Sequence, residues 1–299
     1  MGKQKNVQVR LARRPRGWVT LEDFELTEGA VPEPAAGQVL VQNLFLSVDP
    51  YMRGRMNEGK SYVPPFGLGE VLQAGVVGRV AASRADGWNE GDYVQGMLGW
   101  ENWSLSNGVG LYRLQDTGAP LSYHLGILGM PGMTAYVGLF VIAGAKPGET
   151  VFVSATSGAV GSVAGQLARR HGCRVAGCAG SDEKAALARE FGYDNVFNYR
   201  DGRPLAEHLA RICPQGIDVD FENVGGDIFE AVLQRMRPYG RIALCGMVAN
   251  YNDAEPAPGP RGMMGIVAKR LTIRGFIVTD HADASQRVAF ATYSRQASA

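Results

Sequence analysis

The rhythm of apolar and polar positions changes near residue 125. Beyond it, short apolar runs predict strands over Thr150 to Ala155, Arg174 to Ala179, Asn195 to Asn198, Asp218 to Glu222, Arg241 to Cys245 and Leu271 to Val278. Between them, apolar residues at helical spacing predict helices over Ala159 to His171, Glu183 to Phe191, Leu205 to Cys213 and Ile228 to Met236. Strands alternating with helices indicate an α/β fold: a doubly wound parallel sheet covered on both faces. The proline-rich stretch Glu255 to Pro260 breaks the alternation as a loop over the sheet edge. Earlier in the chain the runs are shorter: Val7 to Leu11, Gln38 to Ser47, Ala74 to Ala81 and Tyr93 to Leu98. Gly/Pro clusters at Val31 to Gly37 and Val63 to Gly69 separate them, which predicts a compact β-rich domain. The expected division is residues 1–125 and 126–299.

Composition narrows the classes. Lys plus Arg (30) nearly balances Asp plus Glu (29), so the chain carries no electrostatic footprint for nucleic acid or an anionic membrane. No apolar run of about 18 residues is present, and the polar, basic Met1 to Arg10 does not read as a secretory signal, so the expected location is the cytosol. Gly2 invites a myristoylation reading, but Asn6 stands where that motif needs Ser or Thr. Glycine is the one excess, with 40 residues spread without period, which means many tight turns and argues against a helical bundle. Cys173, Cys178, Cys213 and Cys245 form no C-x-x-C, and His124, His171, His208 and His281 are scattered. Metal catalysis is not expected, and Cys178 and Cys245 read as buried small hydrophobes.

The chemistry begins at the first strand of the second half. Ala155-Thr156-Ser157-Gly158-Ala159-Val160-Gly161 follows a predicted strand and opens a helix, with Ala155 near the first glycine of G-x-G-x-x-G. Gly158 lets the backbone approach a pyrophosphate, Gly161 lets helix and strand pack closely, and the helix start attracts the anion. The alternative is a helix start whose glycines serve packing alone. Which dinucleotide binds depends on the tip of the second strand, Gly180-Ser181-Asp182-Glu183-Lys184. Its end is small and uncharged, and Lys184 lies within reach of a 2′-phosphate, which favours NADP. Asp182 argues for NAD unless it caps the following helix, and Lys184 could also be a solvated surface lysine.

Several segments together resemble a known family. They are Val48-Asp49-Pro50-Tyr51-Met52-Arg53, Leu128 to Tyr136 around Met130-Pro131-Gly132-Met133-Thr134, the turn above, Gly180 to Lys184, and Glu222-Asn223-Val224-Gly225-Gly226. In that order they resemble the zinc-independent medium-chain reductases of the leukotriene hydroxydehydrogenase, prostaglandin reductase and curcumin reductase type, over roughly residues 5 to 280. The resemblance implies a GroES-like catalytic domain followed by a Rossmann NADP-binding domain. It implies NADPH-dependent reduction of the carbon–carbon double bond of α,β-unsaturated ketones and aldehydes. By the same resemblance Ser157, Gly158, Ala159 and Val160 hold the pyrophosphate, with Gly161 completing the cofactor-binding turn, and Lys184 and Tyr199 hold the 2′-phosphate. Asn223, the loop from Cys245, Gly246 and Met247 to Tyr251, and Phe276-Ile277-Val278 contact the cofactor, with Met130 and Thr134 facing its cleft. It also implies a homodimer paired through the edge strand Leu271 to Val278.

Enone reduction needs hydride at the β-carbon and hydrogen-bond donors at the enolate oxygen, so no metal is required. Tyr62 and Tyr251 match substrate-facing tyrosines of such enzymes, although Tyr62 could be a loop aromatic and Tyr251 could only pack on the cofactor. Tyr51, with Asp49 and Arg53, reads chiefly as an ion-pair and packing element holding the cleft's shape, and Trp100 as pocket wall or ordinary core. A quinone reductase on the same scaffold and a cofactor-binding protein without activity are the rivals, and a methyltransferase has no use for Lys184 or a β-rich front half. In the proteins it resembles, the chain returns to the catalytic domain and supplies a late asparagine. Here the sequence runs about twenty residues past Val278 to the polar Tyr293 to Ala299, so a truncated or diverged C-terminus, with lowered stability and turnover, is expected.

Overall fold

The computed structural model describes residues 4–116, 118–255 and 257–281. The tail Tyr293 to Ala299 lies outside them. The chain divides into two compact units: Met1–Leu125 with Tyr251–Glu255, and Gly126–Asn250 with Pro256–Ala299. Tyr251–Glu255 thus belongs with the first unit, not with the 126–299 half to which the sequence pattern assigned it.

In the first unit, β1 (Lys5–Leu11) and β2 (Phe24–Ala30) form an antiparallel ribbon. Then follow β3 (Val39–Leu46), α1 (Tyr51–Arg55), β4 (Gln73–Ser83), β5 (Tyr93–Gly99), β6 (Trp103–Ser106) and β7 (Tyr112–Arg113). The strands after the ribbon make an antiparallel sheet in the order β6-β3-β4-β5-β7. Alternation along β3, β4 and β5 sends Val39, Val41, Ala74, Val76, Val80, Val94 and Leu98 into one core with Leu11, Met52, Phe66 and Leu72. Trp100 packs against this core. A polar knot ties the ribbon to the sheet: Glu101 accepts from Asn6 and Gln8, and Asn43 donates to the Glu101 carbonyl.

The second unit opens with α2 (Met130–Tyr136), continued by a π-helical stretch Val137–Ile142. The alternation then runs β8 (Thr150–Val153), α3 (Ala159–Arg170), β9 (Arg174–Ala179), α4 (Asp182–Glu190), β10 (Asn195–Asn198), α5 (Leu205–Ile212), β11 (Ile217–Glu222), α6 (Gly226–Arg235) and β12 (Met236–Leu244). It ends with α7 (Met264–Lys269) and β13 (Thr272–Gly275). The six strands pair in parallel in the order β10-β9-β8-β11-β12-β13. Order reverses between β8 and β11, the switch point where open sheets of this kind bind ligands beyond their carboxyl ends.

Two apolar layers hold this sheet. Val151, Val153, Val175, Val219 and Phe221 face one layer with Val163, Ala164, Leu167 and Ala168 of α3. Phe152, Ala176, Cys178, Ile217 and Ile242 face the other, with Leu209 of α5 and Ile228, Phe229, Val232 and Leu233 of α6. The last strand is shorter than its apolar run predicts. It stops at Gly275, and Phe276 instead packs edge-on to Phe221, with ring centres 6.4 Å apart.

Candidate functional site

The turn after β8 is shaped by backbone contacts. Ala155 adopts a left-handed φ of 54°, and Gly158 precedes α3 with no side chain to cap it. A Cβ on Gly161 would lie 2.2 Å from the Ala155 carbonyl oxygen, so only glycine lets the helix start this close to the strand. The Tyr193 hydroxyl donates to the Gly161 carbonyl at 2.6 Å, and its ring fills the space beside Gly165. Ser157, Ala159 and Val160 line this uncapped helix start, where backbone N–H groups and the helix dipole favour an anion.

At the tips of β9 and β10 the small residues have a visible function. Ser181 caps α4 by accepting from the Lys184 N–H, while Asp182 takes a bond from the Asn198 side chain at 3.1 Å. Asp182 is therefore the first helical residue and not the cap. The Tyr199 hydroxyl lies 2.8 Å from where a Gly180 Cβ would be. Lys184 is exposed, and the exposed Arg200 guanidinium stands 5.6 Å from the centre of the Tyr199 ring. Gly180, Ser181, Lys184, Tyr199 and Arg200 thus gather at one end of the sheet. Sequence reading missed Arg200, although it directly follows Tyr199.

The ends of β11 and β12 are tied to the first turn. Ser154 donates to Glu222, and the Asn223 N–H and side-chain amide bond back to Ser154 at 2.7 and 2.9 Å. Glu222 also accepts from the Val224 and Gly225 N–H groups. Cys245 and Gly246 donate to the Glu222 carbonyl, and Met247 packs beside Gly225, where φ is +76°. Beneath this knot Asp220 is fully buried, and among the described residues neither carboxyl oxygen is bonded. Burial pushes its pKa well above the usual range, and neighbouring Glu222 adds to the shift. Burial raises Glu222 as well, but hydrogen bonds to its carboxylate oppose that, so the proton of the pair rests on Asp220. Cys245 is likewise pushed up to about 12 by burial, which makes it a poor nucleophile. Thr134 is buried and its hydroxyl donates to the Met130 carbonyl at 2.7 Å, leaving the Met130 side chain exposed. Ile277 and Val278 are half-buried, with Val278 opening a short 3₁₀ turn.

Tyr51, Tyr62, Trp100 and Tyr251 all belong to the first unit. Tyr62 is exposed on the loop after α1, and Tyr51 is half-buried on that helix. Ser47 donates to Asp49 at 2.6 Å, while burial and then the Asp49 charge raise the Tyr51 phenol, which keeps its proton. The Trp100 indole N–H is buried and has no hydrogen-bond partner among the described residues. Tyr251 follows the 3₁₀ turn Val248–Asn250, and the side-chain oxygen of the next residue, Asn252, accepts from Arg53 of α1 at 3.1 Å. Among the described residues, no group of three or more His, Cys, Asp or Glu is placed to hold a metal ion, and no helix is long and apolar enough to cross a membrane.

Comparison with known proteins adds the following. Residues 7–114 match the family described as the N-terminal domain of oxidoreductase, and residues 159–292 the family described as zinc-binding dehydrogenase. The NADPH-dependent curcumin reductase of Escherichia coli is 44% identical over 92% of this chain and 81% of that protein. The NADP(+)-dependent 2-alkenal reductase of Nicotiana tabacum is 45% identical over 92% of this chain and 82% of that protein. Among solved structures, CurA from Vibrio vulnificus in complex with NADPH superposes with a TM-score of 0.89 at 40% identity, covering 97% of this chain and 88% of that one.

Proposed function

This chain belongs to the medium-chain NADP-dependent reductases, and we propose that it reduces the carbon–carbon double bond of α,β-unsaturated ketones and aldehydes with NADPH. The observation that carries the cofactor assignment is the tip of β9. Gly180 makes room for the Tyr199 hydroxyl, Ser181 caps α4 in place of a carboxylate, and Lys184 and Arg200 supply positive charge at the same end. These groups suit a 2′-phosphate. The uncapped start of α3, with Ser157 to Gly161, suits the pyrophosphate. Asn223, Cys245, Gly246 and Met247 belong to one hydrogen-bonded knot at the switch point, and we assign them, with Met130, Thr134 and Phe276 to Val278, to the nicotinamide half of the cofactor. When bound, NADPH supplies the hydride.

On the acceptor side the chain has to hold the carbonyl and stabilise the negative charge that grows on its oxygen. We assign this to the hydroxyl donors Tyr62 and Tyr251, and read the chemistry as zinc-independent. Tyr51, kept protonated beside Asp49, and Trp100 form the surrounding wall for a flat conjugated substrate. The exposed edge strand β13 fits pairing with its copy in a homodimer, and we place the protein in the cytosol.

Turnover of NADPH with a panel of enones and small quinones tests the reading. Faster oxidation with enones supports it, and turnover of quinones alone replaces it with quinone reduction. Tight NADPH binding with no acceptor consumed would point to a cofactor-binding protein without activity.

A further inference from the structure

Arg53 is buried in α1, and its guanidinium donates to neutral oxygens, while the Asp23 carboxylate acts on it only through space. Nε donates to Asn252 Oδ1 at 3.1 Å, Nη1 to Asn57 Oδ1 at 2.6 Å, and Nη2 to the Gly17 and Pro15 carbonyls at 2.9 and 3.3 Å. Among the described residues it forms no ion pair within salt-bridge distance. A buried cation that bonds no carboxylate among the described residues is not there chiefly to pair charge. Its rigid fork of donors joins groups that no single neutral side chain could span.

The three segments it joins are far apart in sequence. Pro15 and Gly17 belong to the loop between β1 and β2, Asn57 follows α1, and Asn252 lies 199 residues beyond Arg53. Gly17, at φ +77°, has its Cβ direction 3.8 Å from the Asn252 carbonyl, so the first loop's backbone also lies against this segment. Tyr251–Glu255 forms no helix or strand, and its place depends on contacts of this kind.

We infer that Arg53 is a positioning residue for the reaction: by fixing Asn252 it holds the adjacent Tyr251 against the helix that carries Tyr51. This rests on the proposed role of Tyr251 as a donor to the substrate oxygen. A donor displaced by about 1 Å can lose on the order of a hundredfold in rate, so an anchor remote from the chemistry has leverage on turnover.

The test compares Asn252→Ala and Asn252→Asp in the full chain, by hydrogen exchange of peptides spanning 247–258 and by steady-state turnover of an enone with NADPH. Asn252→Ala is expected to speed exchange over Tyr251–Glu255 and to lower kcat, each by about tenfold, with exchange in β3 and β4 unchanged. Asn252→Asp keeps an acceptor for Arg53 and is expected to restore both. Unchanged exchange in Asn252→Ala overturns the anchor, and faster exchange with unaltered kcat overturns its link to turnover. If the unmutated chain reduces no enone, the proposed function falls, while the exchange measurement still decides whether Arg53 holds the segment.

Discussion

The Tyr199 hydroxyl occupies the space that a side chain at Gly180 would take: a Cβ built there lies 2.8 Å from the oxygen and 3.2 Å from the ring carbon that bears it. One residue's lack of a side chain thereby sets where the other's hydroxyl points. Gly180→Ala is expected to displace Tyr199 and weaken NADPH binding by roughly three- to tenfold, leaving NADH little changed. Fluorescence titration with the two cofactors reads this directly, and equal losses would detach Tyr199 from the 2′-phosphate.

Lys184 and Arg200 give a second, charge-based expectation. Lys184→Ala should weaken NADPH by about ten- to hundredfold and NADH hardly at all, because a charge-assisted bond to phosphate disappears. Arg200→Ala should act in the same direction but less, since its guanidinium lies over the Tyr199 ring. The NADPH loss should shrink as salt is raised.

The nucleotide turn allows paired predictions of opposite sign. Gly161→Ala forces a Cβ to 2.2 Å from the Ala155 carbonyl and is expected to cost about 1–3 kcal/mol and to impair cofactor binding. Ala155→Gly relieves a left-handed φ of 54° and is expected to gain about 0.5–1 kcal/mol, after the flexibility glycine adds to the unfolded chain. Chemical denaturation measures both.

Asp220 predicts a pH dependence. Its pKa is raised in the fold, so the folded state holds a proton that the unfolded chain releases above about pH 3.9. Its contribution is therefore most favourable below that pH and is lost progressively as pH rises towards the folded value. Asp220→Asn removes this titration. The variant's stability relative to the unmutated chain should rise with pH from about 4 upwards, and an unchanged profile would mean that Asp220 is ionised in the fold.

Much of the second unit was legible because its strands are buried on both faces and read as apolar runs broken by helical spacing. The turn at Gly158 and Gly161 marks itself, since a helix packed this close to a strand tolerates no side chain there. β2 escaped notice because Phe24–Ala30 is a largely exposed ribbon strand, with Glu25, Thr27 and Glu28 among few apolar positions. The last strand was overextended for the opposite reason: Phe276 is apolar for the sake of Phe221 and not of the sheet. Arg200 carries no pattern of its own, and only its stacking over Tyr199 brings it to the site. The bond from Arg53 to Asn252 closes a loop far too long for any local signal, so nothing in the sequence announced that Tyr251 belongs with the β-rich unit.

Following the cofactor's hydride decides whether the chain reduces the carbon–carbon bond. The protein should be supplied with NADPH deuterated at the transferable position and a simple enone, and the product examined by NMR. A saturated ketone with deuterium on the former β-carbon is expected. Deuterium on the carbonyl carbon of an allylic alcohol, or no transfer to the enone at all, would contradict it.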